Sequence, residues 1–280
     1  MILIADSGST KTDWRIIAED GNIQQLKTIG FNPYYQSMAE ISQTIKKDLI
    51  PHITSPILAI HFYGAGCANP EKNKIVKDAL QENFLKCTIE IHSDLLAAAR
   101  ATCNHEQGIA CILGTGSNSC LFDGKEIIEN IRPLGFLLGD EGSGAYLGKM
   151  LLVSYLRGEL PEKLAKKVND RYKISIDEVL QKVYKEPFPN KYLASYSKFL
   201  FDNINEPYIY QLVYQAFEIF IKKNVMKYEG YQDCKVHFVG AIAFYYGNIL
   251  RQVAGDLGIT VRNILESPIA GLTLYHQENL

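Results

Sequence analysis

Ile4-Ala5-Asp6-Ser7-Gly8-Ser9-Thr10, near the start of the chain, and Ile112-Leu113-Gly114-Thr115-Gly116-Ser117-Asn118, near its middle, share one form. Each is an apolar strand running into a turn of glycine, serine and threonine, followed by a second strand of alternating pattern. Either alone reads as a hairpin turn, since such residues are common in turns. Two of them read as a diverged internal duplication. Glycine lets the backbone approach a ligand, and consecutive N–H groups with hydroxyls suit phosphate oxygens, so the pair points to a polyphosphate clamp.

Outward from the first turn, residues 1–28 read as a meander of three strands, with a turn at Asp20-Gly21-Asn22. Met38, Ile41, Ile45 and Leu49 recur at helical intervals up to Pro51. A strand over 57–63, a turn at Gly64-Ala65-Gly66, a helix over 70–84, a strand over 88–92 and a helix ending near Asn104 follow. A second meander then begins: strand 108–113, turn 114–118, strand 119–122 and a hairpin signal at Asp123-Gly124. Residues 144–200 read as helical, broken at Pro187-Phe188-Pro189, and 208–228 as one long amphipathic helix carrying Tyr208, Tyr210, Tyr214 and Phe217, a core or dimer face. A strand over 236–239, a helix over 244–254, a strand over 259–261 and a helix after Pro268 close the chain. The expected fold is α/β, with domains at 1–104 and 105–280 and the last helix able to return to the first.

Composition removes several function classes. Of 280 residues, 31 are acidic and 29 basic, so no field of one sign is available for nucleic acid or an anionic membrane. The six cysteines lack metal-ligand spacing and read as structural thiols. The apolar start stops at Asp6, too short for a signal segment, and no run reaches the ~20 residues of a membrane span. These features lead us to expect a soluble, cytoplasmic protein. The P-loop pattern is absent, and Gly139-Asp140-Glu141-Gly142-Ser143-Gly144 does not fit the dinucleotide fingerprint. Asp6 closes a buried strand, where an unpaired carboxylate is costly, so it reads as a magnesium ligand beside bound phosphates or as a turn cap.

Asp6-Ser7-Gly8-Ser9-Thr10-Lys11-Thr12, Gly114-Thr115-Gly116-Ser117-Asn118 and Gly139-Asp140-Glu141-Gly142-Ser143, in that order, resemble the BadF/BadG/BcrA/BcrD ATPase family, in its N-acetylglucosamine kinase-like branch. The resemblance spans most of the chain. It implies two actin-like (ribonuclease H-like) domains around a cleft, ATP with Mg2+ between them, and phosphoryl transfer to an amino-sugar hydroxyl. Ser7, Gly8, Ser9, Thr10 and Lys11 would then wrap the β- and γ-phosphates, and Asp6 would hold the metal through water. Gly114, Thr115, Gly116 and Ser117 form the second phosphate turn. Asp94 matches the catalytic base, which competes with a helix-capping role shared with Ser93. Asn32, Asn118 and Asp140 match sugar-binding positions, and Gly240 with Ala241 the adenosine site, with Ala270-Gly271 nearby. Where the kinases tend to carry an aromatic residue, this chain has Arg132-Pro133-Leu134, which bears on the sugar pocket.

The same family contains ATPase activators of 2-hydroxyacyl-CoA dehydratases, with an iron–sulfur cluster between subunits and a Gly-Gly-Gln-Asp-type second turn. Gly-Thr-Gly-Ser-Asn stands here instead, and Asp94 suits proton abstraction better than electron transfer. A sugar- or nucleotide-sensing module is a third reading, although no DNA-binding segment accompanies it. The expected partner is a small sugar, with a homodimer as a further option.

Overall fold

The computed structural model describes residues 1–8 and 10–278. Two compact units emerge: residues 1–104 with the C-terminal stretch from Pro268, and His105–Ser267. In the first, β1 (Ile2–Ser7), β2 (Lys11–Ile17) and β3 (Ile23–Ile29) form an antiparallel meander, and β4 (Ala59–Gly64) and β5 (Thr88–Ser93) extend it in parallel with β1, giving the order β3-β2-β1-β4-β5. The two-residue alternation of a strand splits its side chains between two faces. Leu3, Ala5, Trp14, Ile16 and Phe62 pack with the buried residues of α1 (Met38–Thr44) and α2 (Pro70–Asn83). Ile4, Ile17 and Tyr63 lie on the opposite face, with Ala97 of α3 (Asp94–Cys103). The helix expected to reach Leu49 starts on a capping box of Ser37 and Glu40, then widens into a π-type turn over Ile45–Leu49 that keeps both of those residues buried.

The second unit repeats this plan. β6 (Gly108–Leu113), β7 (Ser117–Phe122) and β8 (Ile127–Glu129) form the meander, and β9 (Val236–Val239) and β10 (Val261–Leu265) run parallel to β6, in the order β10-β9-β6-β7-β8. Substituting β6–β10 for β1–β5 turns one order into the other. Between β8 and β9 lie the short α4 (Gly135–Leu138), α5 (Gly144–Leu156), α6 (Glu162–Tyr172), α7 (Ile176–Tyr184), α8 (Pro189–Ala194), α9 (Ser197–Asp202) and the long α10 (Pro207–Lys223). Val213, Phe217 and Phe220 of α10 join the core, whereas Tyr210 stays exposed. After β9 come α11 (Ala241–Tyr245) and α12 (Gly247–Asp256), two helices where one was expected over 244–254. Ser117 and Asn118, expected in a turn, open β7 and pair with Leu113 and Ile112. The last strand covers 261–265 rather than 259–261. Four of the six cysteines, Cys67, Cys103, Cys111 and Cys120, are buried, and among the described residues no helix is long and apolar enough to cross a membrane.

The final helix, α13 (Ile269–Gln277), belongs to the first unit. Its Ile269 and Leu272 complete the face of Ile4, Tyr63 and Ala97. Next to them sits a polar cluster: His61 Nδ1 is 2.9 Å from Glu90 Oε2, His92 Nε2 is 3.4 Å from the same oxygen, and the His61 and His276 rings stack at 3.9 Å. Burial lowers all three imidazoles below their ordinary 6.5, His276 to about 3, helped there by the charges of His61 and Arg100. At neutral pH they are uncharged whether the chain is folded or not. Below 6.5 the unfolded chain takes up protons that the folded unit refuses, so stability falls as the pH drops from 6.5 toward 3. In His276→Gln the urea midpoint should drop less between pH 7 and pH 5 than in the parent chain. Equal drops in both would remove His276 from the acid response.

Candidate functional site

In the first unit the features of interest gather at the C-terminal ends of β1, β4 and β5, the edge where ligands bind in α/β sheets. The first glycine turn is a tight hairpin in which the Gly8 N–H donates to the Lys11 carbonyl at 3.0 Å. Ser7 is buried. Its hydroxyl accepts from the Phe31 N–H at 2.9 Å and shares a proton with Thr12 Oγ1 at 2.7 Å. The Ser7 side chain ties the turn to Phe31, just past the end of β3. Ser7→Ala strands the Phe31 N–H, so stability should fall by roughly 1–3 kcal/mol in urea denaturation. An unchanged midpoint would mean that the hydroxyl holds nothing.

Lys11, also expected on a phosphate, places its ammonium 2.8 Å from Asp13 Oδ2, and Lys27 lies 3.7 Å from the other oxygen. Thr10 is exposed at the tip, and Ser9 lies outside the described residues. Asp6 is half-buried near the end of β1, in register with Asp13 on one side and Tyr63 on the other. Among the described residues no group of three or more His, Cys, Asp or Glu could hold a metal. Mg2+ usually keeps several waters and takes one or two carboxylates plus substrate phosphates, a demand that Asp6 fits as one carboxylate.

Asp94 is the first residue of α3, and the capping role it might have filled goes to Ser93, whose Oγ accepts from the Leu96 N–H at 3.2 Å. The Asp94 carboxylate, at the first helical position, also meets backbone N–H groups of that first turn. Loss of water pushes it from 3.8 up to about 6, against the pull of the Leu95 and Asp94 backbone N–H groups. Its neighbour Cys67 is buried, its thiol driven up to about 12 by desolvation and then by the Asp94 charge. Cys67 closes the turn Gly64-Ala65-Gly66, which the Ala65 N–H ties to the Ser7 carbonyl at 2.8 Å. Gly66, at φ +84°, has Asn32 Oδ1 only 2.8 Å from where a Cβ would stand. This turn thus joins Asn32 to the surroundings of Asp94. The sequence showed the two glycines as a turn alone, although their position after a parallel strand was the available signal.

The second unit carries its glycine turn at the same topological place, after β6. The carbonyls of Gly114 and Thr115 accept from the Gly144 and Ala145 N–H groups at 2.8 and 3.1 Å, so the first turn of α5 supports the loop from below. Ser143 caps that helix, with Oγ 3.1 Å from the Tyr146 N–H. Asp140 leans on the turn: a Cβ on Gly116 would come within 3.0 Å of its Oδ2, and the Ser117 N–H lies 3.4 Å from Oδ1. Its backbone is left-handed at φ 56°, a strained conformation for a residue with a side chain, and desolvation raises its carboxyl above the usual 3.8. Asn118 Oδ1 accepts from the Ser119 N–H and from Asn130 Nδ2, both at 2.9 Å.

Gly240, after β9, stands at φ +120°, and a Cβ there would run into the Leu113 carbonyl oxygen and come 3.2 Å from the Gly114 nitrogen. The residue assigned to the adenosine and the one opening the phosphate turn are therefore immediate neighbours. Ala241 begins α11, exposed together with Phe244 and Tyr245 one turn on. Gly271 lies on α13, where a Cβ would meet the Ala101 carbonyl of α3.

The two mixed five-stranded sheets with their flanking helices match the two-domain actin-like sugar-kinase fold. A protein of Porphyromonas gingivalis, provisionally assigned as an N-acetylglucosamine kinase, is 44% identical over 100% of this chain and 99% of its own, with a TM-score of 0.93. The chain belongs to that protein's family. A protein of Chromobacterium violaceum with the same provisional assignment is 19% identical over 98% of both chains (TM-score 0.77), and the ROK hexokinase of Thermus thermophilus is 14% identical over 100% and 99% (TM-score 0.60). These two share the fold. No family model matches the chain, and none of the curated proteins compared does.

Proposed function

We propose that this chain is a cytoplasmic ATP-dependent kinase that phosphorylates a hydroxyl of an amino sugar such as N-acetylglucosamine or N-acetylmuramic acid, within the N-acetylglucosamine kinase-like branch of the BadF/BadG/BcrA/BcrD ATPases. The observation that carries the reading is Asp94: a desolvated carboxylate at the first residue of α3, near the turn whose Gly66 packs against Asn32. Such a group accepts a proton near neutral pH. Bound ATP supplies the phosphoryl group, and Mg2+ neutralises charge on its oxygens. Asp94 takes the proton of the attacking sugar hydroxyl, and Asn32, Asn118 and Asp140 orient the sugar. Ser7, Gly8, Ser9, Thr10 and Lys11 from the first unit, and Gly114, Thr115, Gly116 and Ser117 from the second, hold the phosphates. Asp6 would hold the metal, and Gly240 with Ala241 would lie along the adenosine.

The test is ADP release with ATP and Mg2+ across a panel of hexoses and N-acetylated amino sugars, beside an iron assay on the purified protein. Stimulation by one amino sugar, without iron, is the expected result. Iron with no sugar response would replace the kinase by the dehydratase-activator reading. For the responding sugar, kcat/KM should rise with pH through a midpoint at about 6, because the base works only when deprotonated. A profile flat between pH 5 and 8 would show that Asp94 is not the group that titrates.

A further inference from the structure

The Tyr63 hydroxyl joins three elements of the first unit. Arg100 Nη1 of α3 donates to it at 2.7 Å, and it lies 2.9 Å from His276 Nε2 of α13. The guanidinium accepts no proton, so the phenol oxygen accepts from Arg100 and its own proton is available to His276 Nε2. The arrangement leaves little slack. Arg100 Nε is buried without a partner, and the guanidinium sits 5.2 Å from the Tyr275 ring. Gly271 brings α13 against α3 so closely that any Cβ would meet the Ala101 carbonyl and stand 2.9 Å from the Ala101 Cα.

Tyr63 is also the residue before Gly64 on β4, in register with His92, just as Gly64 is with Ser93. Asp94 follows Ser93 directly. Helix α3 is thus fastened at its first residue by the Ser93 cap and again at Arg100, about 9 Å along the axis for six residues at 1.5 Å each. Apolar contacts of Leu96, Ala97 and Ala101 with Ile4, Ile17 and Tyr63 press it on the sheet, but such contacts are non-directional and tolerate sliding. The hydrogen-bonded lock fixes the register of the helix against the strand that carries the Gly64–Cys67 turn.

We infer that Tyr63, held between Arg100 and His276, is a positioning residue that sets where helix α3 places the Asp94 carboxylate, so that the C-terminal helix α13 helps to align the proposed base. This rests on the kinase reading of Asp94. The lock acts through geometry, because Arg100 is not among the groups that shift Asp94.

Tyr63→Phe removes only the hydroxyl. Per folded molecule, kcat should fall about 10- to 100-fold, as expected for sub-ångström misplacement of a base, with KM for ATP and sugar within about twofold. His276→Gln, which keeps an acceptor at the end of the side chain, should retain most of the parent kcat, whereas His276→Leu should behave like Tyr63→Phe. Hydrogen exchange at the Leu95, Leu96 and Ala97 amides should quicken in Tyr63→Phe and His276→Leu only. Full kcat in folded Tyr63→Phe, or unchanged exchange in that first turn, overturns the inference. The exchange arm decides the positioning claim even if the parent chain releases no ADP in response to any sugar, a result that would remove the kinase reading instead.

Discussion

Asp94→Asn should abolish sugar-dependent turnover and at the same time make the protein harder to unfold. The loss follows from the base role: positioned proton transfer contributes about 10²–10⁴-fold, and an amide cannot accept the hydroxyl proton. ATP should still bind, since none of the residues assigned to the nucleotide is changed. The stability gain follows from the same desolvation that tunes the base. The folded carboxyl lies at about 6 and the unfolded one near 3.8, so its contribution is fully present below 3.8 and lost as the pH rises through 6. Above 6 the folded parent carries an ion where water is scarce. A shift of this size corresponds to at most about 3 kcal/mol, and on the order of 1–2 kcal/mol is a reasonable expectation for a partly exposed group. Thermal unfolding of parent and variant at pH 4 and pH 7.5 checks this. The gap should be small at the lower pH and open at the higher. A variant less stable than the parent at pH 7.5 would mean that Asp94 makes favourable contacts as an anion, and undiminished phosphorylation would remove it from the chemistry.

Gly240→Ala should have the second large effect, and for a steric reason. The residue sits in a left-handed region that side chains rarely enter, and the added methyl would meet the Leu113 carbonyl oxygen. Neither group can yield cheaply. Gly240 is pinned by its N–H bond to the Leu265 carbonyl at 2.9 Å, and Leu113 lies in the central strand β6. The cost should be roughly 2–4 kcal/mol, in the range of overpacking combined with backbone strain. Because the displaced carbonyl precedes Gly114, the phosphate turn should move as well, weakening nucleotide binding at least tenfold by calorimetry. Unaltered nucleotide affinity in a folded Gly240→Ala protein would separate this glycine from the ATP site.

Much of this was legible because the deciding signals are local. The two glycine turns, the short strands that flank them and Asp94 at a helix start are all written in runs of fewer than ten residues. Local signals also misplace edges: Ser117 and Asn118 look like turn residues, yet the pairing of β6 with β7 extends through them. β8 is only three residues long and followed a hairpin signal without a strand pattern strong enough to read. The Tyr63–His276 pair could not be found at all, since its members are 213 residues apart and neither belongs to a motif. Ser7 illustrates a third kind of limit. A serine in a Gly/Ser turn shows no sign in the sequence that its hydroxyl also bonds Phe31 and Thr12, as it does here.

The placement of α13 also constrains how the chain can be made. The second unit is one continuous stretch, His105–Ser267, and has all of its residues before synthesis ends. The first unit begins at Met1 but lacks the apolar cover of Ile4, Ile17, Tyr63 and Ala97 until Ile269 and Leu272 leave the ribosome. The usual order of a nascent chain, first domain first, is therefore reversed for completion here, and the half that carries Asp94 is the last to close.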